Sequence, residues 1–315
     1  MSKYLNVFNT LSEYQAFSAS TEYTTPNVAL VKETNVLYYD YGDNKPQVDM
    51  SSYKGEFQES SVGGNYYGNS AITKINYIPS GETSLNYIFQ NWSSLKEVTC
   101  KIPDSVTSMN YTFASCSSLI NAPTIPIGVT GMSYTFASCS SLVTAPEIPS
   151  GVINMNYTFS SCSKLVTAPS VIPNSVTRID YAFYYCTSLV NAPVIPSGIT
   201  NMSHTFYKCT SLVTAPEIPS GVISIEYTFS ECKSLVNVPP IPDSVEDMDS
   251  AFYQCSSLKE LTLLPATPPS VSNGLSRCPI ESIYVPDESV DTYKTATGWS
   301  QFADKIKPLS DKPTE

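Results

Sequence analysis

Cationic charge, histidine and long apolar runs are what this 315-residue chain has least of. It carries 17 Lys and Arg against 28 Asp and Glu, a formal net charge of −11. A phosphate backbone or an anionic membrane surface needs clustered Lys and Arg on its partner, so neither nucleic acid nor a charged bilayer is an expected partner. The single histidine, His204, and the absence of any Cys-x-x-Cys pair leave zinc no local set of ligands. No metal or cofactor is expected. No stretch approaches the roughly 18 apolar residues of a membrane span, so insertion is not expected either. The opening MSKYLNVFNTLSEYQAF has no apolar core of the signal-peptide kind, and no anchoring signal follows Lys307. The expectation is a soluble cytosolic product, or one that leaves a cell by a route other than secretion. Charge is thin where the chain is most regular: residues 101–278 hold only 11 acidic and 7 basic side chains. The surface there must be mostly Ser, Thr, Asn and Tyr, which suits contacts with protein or sugar.

What the chain does have is one sentence repeated. Cysteines fall at Cys116, Cys139, Cys162, Cys186, Cys209, Cys232, Cys255 and Cys278, in steps of 23 residues with a single step of 24. Three positions before them stand Phe113, Phe136, Phe159, Phe183, Phe206, Phe229 and Phe252, with Leu275 at the last beat. Three positions after the first seven stand Leu119, Leu142, Leu165, Leu189, Leu212, Leu235 and Leu258. One beat earlier, Trp92 takes the cysteine slot between Phe89 and Leu95. A fixed period in the twenties is the signature of a solenoid. Each coil adds an Ile-Pro step, such as Ile148-Pro149, then Val152 and Met155, giving six apolar positions that form its inward wall. One coil cannot bury that wall, but stacked coils can, with backbones about 4.8 Å apart. Prolines such as Pro146 and Pro149 cannot donate to a ladder and belong at strand ends and corners. Ser150-Gly151 and its equivalents are expected to form the tight turn. The 24-residue steps ending at Cys116 and Cys186 place the extra residue between the repeat Leu and the Ile-Pro step, where a surface corner or bulge absorbs it.

Four regions follow: an attachment or oligomerisation unit over 1–40, a linker over 41–74, a solenoid of eight to nine coils over 75–278, and a cap over 279–315. In the first, Thr10-Leu-Ser-Glu13 fits a capping box opening a helix over about 11–19. Asn27–Lys32 and Val36–Asp40 read as two strands joined by Glu33-Thr-Asn35. Forty residues cannot build an independent core, so this unit is expected to pack on a second copy or another protein. Residues 41–70 read as linker or irregular strand. After Leu258, Leu261–Leu264 and Ile283–Val285 read as the last strands. Pro286 then opens a short helix with Asp287 and Glu288 at its N-terminal end, and Val290, Tyr293, Trp299 and Phe302 are expected to cover the last coil. The fold class is a mainly β solenoid with a small α+β N-terminal unit and a helical cap.

The unit Met155-Asn-Tyr-Thr-Phe159-Ser-Ser-Cys162-Ser-Lys-Leu165, with its Ile-Pro step, resembles the BspA-type leucine-rich repeat. The likeness covers about two thirds of the chain. The ending IYVPDESVDTYKTATGWSQFADKI looks like the segment that closes such arrays. The opening FNTLSEYQAF, followed by TPNVALVKETNVLYY, is similar to the start of virion structural proteins of phages infecting gut Bacteroidetes, including crAss-like phages. The resemblance implies a parallel-strand solenoid used in adhesion and recognition, with no catalytic residues to transfer. The expectation is a non-enzymatic virion protein, a head or tail fibre or decoration protein, in which residues 1–70 dock to other virion proteins or sister chains. Its solenoid would then meet a host surface protein or glycan. A bacterial surface adhesin of the same repeat family is the alternative, and a polysaccharide depolymerase a remote one.

Candidate sites are few. Stacked cysteines lie within disulfide range, yet Trp92 shares their slot and can neither bridge nor ligate. Small buried hydrophobes with free thiols are therefore expected. Tyr111, Tyr134, Tyr157, Tyr181, His204 and Tyr227 share one slot, and amphipathic aromatics favour recognition surfaces. That row is the candidate recognition surface, with the alternative that the rings lean on the wall and only the hydroxyls reach solvent. His204, standing where other coils carry Tyr, is expected to be structural. Glu147 and Glu217 share a slot with Thr124 and Val194. Three coils place the two carboxylates about 14 Å apart by the strand spacing, too far for glycosidase chemistry.

Overall fold

The computed structural model describes residues 5–8, 27–31, 36–40, 47–49, 73–75, 78 and 82–313. Near the N-terminus four strands form one sheet in the order β1-β2-β3-β4: β1 (Leu5–Phe8), β2 (Asn27–Val31), β3 (Val36–Asp40) and β4 (Gln47–Asp49). β1 runs parallel to β2, and the β2–β3 and β3–β4 pairs are antiparallel. The two expected strands are present as a hairpin, with Leu30 opposite Leu37. β1 was not anticipated, and β4 lies inside the stretch read as linker. The capping box and the helix over 11–19 lie outside the described residues.

From Ser84 onward the chain winds into stacked coils, paired by parallel bridges such as Asn121↔Thr144↔Thr167 and Ser108↔Gly131↔Asn154. The six wall positions face inward. In one coil Val152, Met155, Phe159, Cys162 and Leu165 are fully buried and Ile148 is nearly so. The phenylalanines stack in a column, with Phe136 and Phe159 rings 5.7 Å apart and Phe159 and Phe183 rings 5.5 Å apart.

The coils are a solenoid, but little of their length is extended strand, which corrects the mainly β expectation. One reason is proline. Ala-Pro and Ile-Pro remove two donors from most Leu-to-Pro segments, and Val-Pro-Pro-Ile-Pro removes three after Leu235, so the paired backbone shrinks to single bridges. Where no proline falls within six residues after the Leu, strands appear: Leu95-Lys-Glu-Val carries β6 (Glu97–Val98), paired with β5 (Lys74–Ile75), and Lys259-Glu-Leu-Thr-Leu carries β7 (Glu260–Thr262).

The second reason lies at the tyrosine slot. Each coil has two residues four apart in the left-handed region, for example Tyr111 (φ 58°) with Ser115 (φ 62°) and Tyr134 (φ 57°) with Ser138 (φ 60°). The N–H groups consequently alternate. Those of Met109, Tyr111, Phe113 and Ser115 donate to Gly131, Ser133, Thr135 and Ala137 of the next coil at 2.6–2.9 Å. Those of Thr112, Ala114 and Cys116 close turns within the coil on Met109, Tyr111 and Phe113 at 3.0–3.2 Å. A column of turns thus replaces a column of strands. A left-handed residue with a Cβ costs about 1–2 kcal/mol, so the inter-coil bonds must compensate at every step. The exposed Ser138 allows a clean test. Ser138→Gly is expected to stabilise the protein by up to about 1 kcal/mol, and Ser138→Val to destabilise it by about 1–2 kcal/mol. Urea unfolding of the three proteins reads both, and equal stabilities would contradict the left-handed turn.

Buried hydroxyls complete the stitching. Thr135 Oγ1 donates to Met132 O in its own coil at 2.7 Å and lies 2.9 Å from Met109 O in the coil before. The Pro-Ser-Gly turn closes through Val152 N–H on Pro149 O at 3.1 Å. A Cβ on Gly151 would make only ordinary contacts, the nearest 3.5 Å from Val129 O, so this turn does not need glycine. In the longer coil ending at Cys186, the Leu-to-Ile segment carries Val171 at the surface, bridged to Val194.

At the far end β7 pairs in parallel with β8 (Ser282–Val285), and β8 with β9 (Ile306–Pro308). A 3-10 turn over Asp287–Ser289 leads into α1 (Val290–Thr295). Tyr293 and Trp299 are fully buried edge to face at 5.2 Å, while Val290 and Phe302 pack half-buried against the core. Gly298 is at φ +82°, and a Cβ there would sit 2.8 Å from Val271 Cγ1, so this glycine is required.

Candidate functional site

The six residues singled out from the sequence form one continuous stack on the outside of the turn column. Centroid separations are 4.3 Å from Tyr111 to Tyr134 and from Tyr134 to Tyr157, 4.4 Å to Tyr181, 4.4 Å to His204 and 4.7 Å to Tyr227. Tyr87 extends the stack by one rung at 4.7 Å. The left-handed backbone at this slot puts each ring directly over its neighbour, one coil step away. All six are half-buried. Burial and the neighbouring phenols push the hydroxyls of Tyr111, Tyr134 and Tyr157 above the usual tyrosine range. His204 fits the stack as a ring. Burial pulls its pKa down, against the opposing pull of Asp180, and its buried Nδ1 has no hydrogen-bond partner. Because interior rings are covered on both faces, the stack offers edges and hydroxyls rather than ring faces.

Beside this stack the repeat breaks. The two residues after Phe are Ala114-Ser115, Ala137-Ser138 and Ser160-Ser161, then Tyr184-Tyr185, Tyr207-Lys208 and Ser230-Glu231. Tyr184 and Tyr207 stack at 5.0 Å, and Tyr185 tilts against Tyr184 at 4.6 Å. Lys208 Nζ donates to the Tyr185 hydroxyl at 2.7 Å and pairs with Glu231 at 3.2 Å, while the Tyr207 hydroxyl donates to Glu231 at 3.0 Å. The Tyr185 hydroxyl holds the Lys208 ammonium above its ordinary range, and burial together with Glu231 pushes the Tyr207 hydroxyl up to about 12. Reading along the repeat missed this cluster. Reading down the two slots after Phe shows it, because Ala and Ser give way to larger or charged residues in four consecutive coils, the fourth carrying Tyr253-Gln254.

Elsewhere the polar groups serve the stack. Asp247 accepts from Ser224 Oγ at 2.9 Å and Ser270 Oγ at 3.0 Å. Burial, then Asp247 and Asp249, raise the Glu226 carboxyl. Among the described residues no three His, Cys, Asp or Glu side chains converge to hold a metal ion. A shallow groove lies between two coils, lined by Pro123, Ile127, Pro146 and Pro149. Glu147 is the one carboxylate on it.

The nine cysteines are free thiols. Each buried Sγ donates to the phenylalanine carbonyl one coil back, as Cys139 does to Phe113 at 3.2 Å and Cys162 to Phe136 at 3.1 Å. Burial pushes the Cys116 thiol up to about 12 and others in the column up as well. Only Cys100 and Cys278 are half-exposed, and the Cys255 sulfur beside Cys278 pulls its thiol down. A thiolate is the reactive form. An aromatic disulfide reagent should therefore modify about two thiols per native chain, Cys278 first, and all nine only after denaturation. Rapid native reaction of more than these two would contradict the buried column.

The sequence profile of the BspA type leucine rich repeat region matches this chain in six copies, over residues 60–190, 155–265 and 180–297. No curated protein sequence matches it. Among solved structures, a leucine-rich repeat protein from Bacteroides ovatus is similar at 20% identity, over 77% of this chain and 85% of that one, with a TM-score of 0.34. A leucine rich repeat protein of T. pallidum is 24% identical over 59% of this chain and 78% of that one, with a TM-score of 0.40. A leucine rich cell surface protein from Faecalibacterium prausnitzii is 18% identical, over 94% of this chain and all of that one, with a TM-score of 0.36.

Proposed function

Because the chain belongs to the BspA-type leucine-rich repeat family, we propose that it is a non-enzymatic recognition protein displayed on a biological surface, binding a protein or glycan through the outer face of its coils. The observation that carries this reading is the aromatic stack with the tyrosine cluster beside it, set on coils poor in charge. Amphipathic aromatics held rigid by the fold lose little entropy on binding, which favours recognition. The C-terminal segment with Tyr293 and Trp299 closes the array in this reading, and residues 1–70 join the chain to sister copies or to its carrier.

Two carriers fit. One is a fibre or decoration protein of a phage particle, the reading that the sequence resemblance of the opening residues suggests. The repeat family itself favours a bacterial surface adhesin. Mass spectrometry of purified phage particles and of bacterial envelopes, prepared from one culture, separates them. Stoichiometric amounts in virions establish the first, enrichment in envelopes the second, and recovery from the soluble cell interior alone would contradict surface display.

A further inference from the structure

We propose that the ledge formed by Tyr184 and Tyr185 is the binding site for a neutral saccharide. This rests on the recognition role proposed above and assigns its ligand class and its place. The interior of the main stack cannot supply an aromatic platform, because its rings cover one another at 4.3–4.7 Å. A sugar ring presents its C–H face to an open aromatic face, so the rows must end somewhere for stacking to occur.

They end here. Tyr207 stacks on one face of Tyr184 at 5.0 Å. On the other side, the equivalent slots of the preceding coil hold Ser160 and Ser161, and no ring packs against Tyr184 or Tyr185 from that coil among the described residues. Two half-buried phenols therefore stand above a floor of small hydroxyl residues. Tyr184 is 51° from Tyr185, so the two rings form a corner rather than a sheet. The polar edge of that corner is fixed in advance: Lys208 holds the Tyr185 hydroxyl, and Glu231 holds both Lys208 and the Tyr207 hydroxyl. Pre-set donors and acceptors beside an apolar face match the two sides of a saccharide. The ion pair compensates its own charge and the chain carries −11, so an uncharged sugar suits the corner better than an acidic one.

The test uses the full chain and saturation-transfer NMR with cello-, xylo-, manno- and malto-hexaose, a polygalacturonate oligomer serving as the anionic contrast. The informative variant is Tyr184→Ser with Tyr185→Ser, which restores the pair that the preceding coil carries and so preserves the coil. Asp291→Asn, at an exposed position of α1 away from both rows, is the control. At least one neutral hexaose is expected to bind, with affinity falling about ten-fold or more in the double variant and little changed in the control. Binding by none of the neutral sugars, equal binding by the double variant, or binding of the anionic oligomer alone would overturn the assignment. Saturable attachment of the same chain to cell surfaces in that event would leave the recognition reading intact and point to a protein ligand.

Discussion

Phe159→Ala is expected to cost about 3–5 kcal/mol, a large fraction of the stability of an ordinary domain. Phe159 is fully buried and lies between the rings of Phe136 and Phe183. Truncation removes its transfer energy and opens a cavity that neither neighbour can fill without leaving its own stack. The form of the loss matters as much as its size. In a stacked array each coil contacts only its neighbours, so stability is a sum of coil and interface terms. A break in the middle weakens two interfaces at once and uncouples the halves. Urea unfolding followed by circular dichroism should show a lower midpoint and a broadened or two-step transition. A single sharp transition within 1 kcal/mol of the parent, the low end of core truncations, would contradict a continuous core.

Trp299→Ala is expected to cost as much, about 3–5 kcal/mol, but at one end only. Trp299 is fully buried, its Nε1–H donates to Pro269 O at 2.8 Å, and its ring meets Tyr293 edge to face. Tyr293 in turn donates to Pro265 O at 2.8 Å. Removing the indole leaves a cavity and an unpaired carbonyl over the last coils. Hydrogen exchange should report lost protection in β7, β8 and β9, with the coils around Phe159 unchanged. Uniform loss across the array would show that the C-terminal segment is not a local closure.

Much of this architecture was legible because buried positions recur at fixed spacing. Phe, Cys and Leu three residues apart, with the Ile-Pro, Val and Met steps, name the wall directly. The hairpin of β2 and β3 was equally plain in its apolar runs. The turn column was not, because Tyr and Ser are poor markers of a left-handed backbone. Glycine would have announced the conformation, whereas here inter-coil hydrogen bonds impose it. β9 was missed because Ile306-Lys-Pro308 is short, ends in proline, and becomes a strand only through pairing with β8. The six stacked residues were found from their shared slot. Tyr184, Tyr185, Tyr207, Lys208 and Glu231 were not, since a repeat is recognised by what stays the same and this cluster by what changes.

Attachment to surfaces tests the central claim most directly. Fluorescently labelled full chain, titrated onto intact bacterial and epithelial cells and onto the same cells after protease or glycosidase treatment, should bind at least one surface saturably. One treatment should abolish that binding, and the cells should release no reducing ends. Failure to saturate any surface, or release of sugar fragments as the chain is added, would contradict a protein whose work is recognition without chemistry.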